Sequence, residues 1–130
     1  MEKDLRPFLA GNAIRPEGRR IAVSPRFADE EGAPVLWEAA AISSAQEALL
    51  RGDCTRPVPG KKGQRAFDFE AYLVRLAAAC TVSPNLKDRA LQESYGVRCA
   101  EELLSAMLLP GELARYAGQV REVCGFEAGE

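Results

Sequence analysis

The chain has 130 residues, 47% of them apolar and 28% charged, with a net charge of −2, the size of roughly one domain. No run of about 18 apolar residues is present and the N-terminus lacks an apolar signal-peptide core, which argues against a spanning segment or an export signal. The absence of histidine removes His-based triads, His zinc sites and a His proton shuttle, and the near-zero net charge argues against a dedicated nucleic-acid binder.

Residues 1–18 read as a weakly ordered segment with a short helical turn around Leu5 to Leu9. Arg20 to Phe27 alternates, with Ile21, Val23 and Phe27 on one side, and predicts a half-buried strand that Pro25 places at an edge or near its end. Asp29-Glu30-Glu31-Gly32 reads as a turn. Val35 to Ile42, carrying Trp37, then returns as the second strand of a hairpin, although its three consecutive alanines favour helix. Ser43 or Ser44 caps a helix to about Arg51, with Gln46 or Glu47 completing a capping box. Residues 53–66, with two prolines and two glycines, read as loop.

The C-terminal half is helical in pattern. Asp68 caps a helix to about Thr81 with Tyr72, Leu73, Leu76, Ala79 and Cys80 on its inner face, and Ser83-Pro84-Asn85 stops it. A short helix covers Lys87 to Ser94, ending at Gly96. Another runs from about Cys99 to Leu108, with Leu103, Leu104, Met107 and Leu108 inward. Pro110 suits the first turn of a last helix, along which Leu113, Tyr116, Ala117, Val120 and Cys124 repeat. Gly125 ends it, and Phe126 can fold back in a Schellman-type contact. The expected fold is α+β: an N-terminal antiparallel β-hairpin packed on four to five C-terminal α-helices. The expected domain covers 19–126, with 127–130 as a tail.

Few residues carry chemistry. Cys54, Cys80, Cys99 and Cys124 form no C-x-x-C pair and read mainly as buried thiols acting as small apolar side chains. The acids Asp29-Glu30-Glu31 and Glu101-Glu102 lack EF-hand spacing. Adjacent carboxylates on a helix point apart. Arg56, Lys61, Lys62 and Arg65 make a basic loop without a Walker pattern; it reads as solvated, or as a contact for an acidic protein or nucleic acid. With no histidine to activate a nucleophile and no G-x-S-x-G elbow, the chain reads as a non-enzyme with no cofactor and no metal. Trp37, Tyr95 and Tyr116 are candidate partner anchors, as are Leu104 and Leu108 of the Leu-rich stretch 103–116.

Four segments carry a specific resemblance: FADEEGAPVLWEAAAI (27–42), FDFEAYLVRLAAACTVSPNLKD (67–88), LQESYGVRCAEELLSAMLLPGE (91–112) and VREVCGF (120–126). In order and spacing they resemble the XkdN-like family of phage tail assembly chaperones, over most of the chain from about Arg20 to Phe126. The resemblance implies a protein of the bacterial host cytoplasm, made by a tailed phage or prophage and not expected in the mature virion. Its implied partners are the tape measure protein, the tail tube protein and, as in many members, a longer frameshifted form of itself. No catalytic residue carries over. A helix-in-groove contact would place the tape measure helix between the hairpin and the C-terminal helices, near Trp37, Leu108 and Tyr116. The alternative is a small cytosolic adaptor that binds protein or nucleic acid through the basic loop 56–65.

Overall fold

The computed structural model describes residues 4–127. The fold is α+β. Strand β1 (Arg19–Ile21) pairs antiparallel with β2 (Trp37–Ala39), in the register Arg19↔Ala39 and Ile21↔Trp37. Both strands are shorter than the sequence pattern predicts. Pro25 carries no N–H for a ladder, and Ser24 turns the chain locally: its hydroxyl accepts from the Arg26 N–H at 3.2 Å. The acidic turn forms as expected. Asp29 Oδ1 accepts from the N–H groups of Glu31 at 2.9 Å and Ala33 at 3.0 Å, and Gly32 takes φ +85°.

Helix α1 (Ser44–Asp53) starts in a true capping box: Ser43 Oγ accepts from the Gln46 N–H, and the Gln46 side chain accepts from the Ser43 N–H at 2.9 Å. The next segment differs from expectation. In place of a loop, Thr55–Pro57 (β3) and Arg65–Phe67 (β4) form an antiparallel arm, with Arg56 opposite Ala66. Three residue pairs flanked by Pro and Gly are too short to show alternation, which is why the pattern hides them.

Asp68 caps helix α2 (Phe69–Cys80) by accepting from the Ala71 N–H at 3.1 Å. Its buried face carries Tyr72, Leu76, Ala77, Ala78 and Cys80, while Ala79, expected inside, is exposed. The chain then adds β5 (Thr81–Ser83), expected only as a helix stop, antiparallel to the other side of β2, so the sheet order is β1-β2-β5. Helix α3 (Arg89–Ser94) is capped by Asp88. Helices α4 (Ala100–Met107) and α5 (Pro110–Val123) follow, Pro110 opening the latter.

Both α3 and α5 end in Schellman motifs. In α5, Phe126 N–H donates to Arg121 O and Gly125 N–H to Glu122 O, both at 3.0 Å, with Gly125 at φ +95°. In α3, Val97 and Gly96 repeat the pattern onto Gln92 and Glu93. Helix α2 packs against α1, α4 and α5. The core fills the space between these helices and the sheet, with Ile21, Trp37, Leu76, Leu103, Leu104, Tyr116 and Val120 inside. By contrast, every residue from 4 to 20 is exposed, and the turn expected near Leu5 is a single 3-10 turn at Arg6–Phe8. Of the segments expected at the ends, residues 1–3 and 128–130 lie outside the described residues.

Candidate partner groove

The side chain that organises the hairpin end is Trp37. Its ring packs against Phe27 at 5.9 Å and meets Tyr116 edge-on at 5.3 Å, tying β2 to the middle of α5. Tyr116 is held in turn by Thr81. The one Thr81 hydroxyl proton goes to Ala77 O at 2.6 Å, so the Tyr116 phenol donates to Thr81 Oγ1 at 2.5 Å. Burial pushes the Tyr116 phenol up to about 12.

A second tie crosses from the segment after β1 to the α4–α5 junction. The Arg26 guanidinium donates to Glu112 Oε1 at 2.6 Å and to Met107 O at 2.7 Å, while the Leu109 N–H donates to the same carboxylate at 2.8 Å. Arg26 foremost, then the Ser24 hydroxyl and the Leu109 N–H, hold the Glu112 carboxyl down at about 2.

These two ties frame an open groove of about 380 Å³. Trp37 lies at its floor, Phe27, Val35 and Leu36 form one wall, and Pro84, Leu91 and Met107 form the other. Val35 and Leu36 keep 47% and 48% of their surface exposed. A larger cleft of about 560 Å³ opens between α1, the end of α2 and the start of α4. Its apolar lining is mostly Ala78, Ala79, Ala100 and leucines, under a polar rim of Gln46, Asn85, Lys87 and Glu101. Leu49 on that rim is 72% exposed.

The structure separates the five residues expected to contact a partner. Trp37, Leu104, Leu108 and Tyr116 are core side chains, and only Tyr95, at the end of α3, remains 39% exposed. A regular apolar spacing marks a face that packs; it does not say whether the same chain supplies the cover. The exposed Val35 was missed because a continuous strand from Val35 would turn Val35 and Trp37 to the same face. The strand begins only at Trp37, and Val35 stays outside.

The basic cluster sits on the β3–β4 arm. Arg65 donates to Thr55 O at 2.9 Å, and all ten residues from Lys61 to Glu70 are exposed. Phe67 at the arm's base packs at a tilt against Tyr72, with ring centres 5.3 Å apart, and the Tyr72 phenol donates to Glu47. Among the described residues, no group of three or more Cys, Asp or Glu is placed to hold a metal ion. None of the helices there is long and apolar enough to cross a membrane.

The sequence matches the phage XkdN-like tail assembly chaperone family over residues 5–130. The chain belongs to that family. Two Bacillus subtilis (strain 168) proteins are similar along nearly the whole chaperone. YqbN is 28% identical over 127 residues, covering 95% of this chain and 85% of its own. The phage-like element PBSX protein XkdN is 25% identical over 127 residues, covering 95% and 86%. The crystal structure of YqbN superposes with a TM-score of 0.82 at 26% identity, covering 98% of this chaperone and 100% of that chain.

Proposed function

We propose that this tail assembly chaperone binds the tape measure protein by seating an apolar helical stripe of it in the groove over Trp37, with Val35 and Leu36 as the exposed wall. The observation that carries this reading is the pairing of a chaperone-family chain with an open groove in which the half-exposed Val35 and Leu36 stand beside the packed Phe27–Trp37 pair. A helix laid there would recruit side chains at i, i+3, i+4 and i+7. Holding that stripe covered keeps a long helical protein soluble while tail tube subunits assemble around it. The work is binding without covalent chemistry, needs no cofactor, and takes place in the bacterial host cytoplasm, with departure before the tail matures. The tail tube protein and a frameshifted longer form of the chaperone are the further partners.

Affinity capture and calorimetry with purified tape measure protein test the reading. Leu36→Asp should weaken binding at least tenfold while leaving the fold intact, because Leu36 is half-exposed. Leu49→Asp, in the other cleft, should leave it unchanged. The reverse pattern moves the site to the α1–α2–α4 cleft. A steep loss of binding with added salt, abolished by Lys61→Ser with Lys62→Ser, would place the contact on the basic arm, since charge-driven association is strongly screened.

A further inference from the structure

We propose that Cys80 and Cys124 are a disulfide-forming pair, closed by hydrogen peroxide entering the groove beside the end of α5. Their sulfurs are 3.5 Å apart across 44 residues of sequence. No such contact joins Cys54 or Cys99 to a second thiol among the described residues. The two partners differ in access. Cys80, the last residue of α2, is 1% exposed, whereas Cys124, the C-cap of α5, is half-buried. Cys124 also lines an open groove of about 400 Å³ with Ser43, Glu47, Arg51 and Phe126.

This asymmetry sets the order of events. Cys124 Sγ attacks one peroxide oxygen; the O–O bond breaks, giving a sulfenic acid on Cys124 and one water. Cys80 Sγ then attacks the sulfenic sulfur; the S–S bond forms, the S–O bond breaks, and the hydroxyl leaves as a second water with the Cys80 proton. Two thiols lose two electrons in all, and one peroxide is reduced to two waters. Burial first, then the neighbouring Cys124 sulfur, push the Cys80 thiol up, so it acts as the resolving sulfur through proximity. The sulfurs must close to about 2.05 Å. The bond would enclose α3, α4 and α5 in one covalent loop, a constraint acting mainly on the unfolded chain. The inference stands apart from the partner-binding reading.

The test uses the full reduced chain and a small excess of hydrogen peroxide. After denaturation the free thiols should fall from four to two, the intact mass should drop by about 2 Da, and a non-reducing digest should yield one peptide pair joining Cys80 to Cys124. Dithiothreitol should restore all four, and the thermal midpoint of the oxidised form should rise. Cys99→Ser should still show the 2 Da loss, and Cys124→Ser should not. Four thiols surviving, oxygen added to Cys124 without cross-linking, or a bond through Cys54 or Cys99 would overturn the proposal. Because the digest maps the bond in the unmutated chain, the result stands even if Cys124→Ser fails to fold.

Discussion

Strand β2 and strand β4 are each three residues long, yet they are held by different physics. In β2, Trp37 and Ala39 are buried between neighbouring strands and α5. In β4 every residue is exposed, and the arm is held by its ladder, by one Arg65 bond to a backbone carbonyl, and by Phe67 at its base. A strand of this length persists through what covers its side chains; a two-stranded ribbon alone is marginal. The first region is therefore scaffold and the second a low-stability appendage carrying charge.

The sharpest way to break the comparison is to remove the cover. Trp37→Ala should cost about 3–5 kcal/mol, as for other buried aromatic truncations. Denaturant unfolding measures it, and a loss below about 1 kcal/mol would show that the hairpin end contributes little.

A smaller effect should follow from the polar tie. Glu112 has its carboxyl held at about 2 in the folded chain, below the ordinary carboxylate value. A depressed folded pKa contributes stability that is fully present above about pH 4.5 and is lost as pH falls towards 2. Glu112→Gln should thus lower the thermal midpoint at neutral pH, and the gap from the parent chain should close between pH 4.5 and 2. A gap that stays constant over that range would remove the Arg26–Glu112 pair from the account.

The smallest effect belongs to the arm. Lys61→Ser combined with Lys62→Ser should change stability by less than about 0.5 kcal/mol, as exposed substitutions do. A large loss by chemical denaturation would mean that the arm is part of the scaffold.

Much of the scaffold is legible in the residues because local rules and packing agree there. The Ser43 capping box, the Asp68 cap, Pro110 at the start of α5 and the Gly125–Phe126 closure each act within a few residues. The inward Leu103, Leu104, Met107 and Leu108 follow from helical spacing. What stayed hidden depends on distant pairing. Strand β5 exists because Thr81–Ser83 lies beside β2, and β3–β4 because two Pro- and Gly-flanked triplets meet. The same limit governs the site. Residue type marks Trp37 and Tyr116 as candidate partner anchors, and only the fold shows that they pack on each other, leaving Leu36 at the surface.

Binding of purified tape measure protein to the Leu36→Asp chain, followed by calorimetry beside the parent, tests the groove most directly. The account predicts at least a tenfold weaker complex with an unchanged thermal midpoint. An affinity equal to that of the parent chain would contradict it.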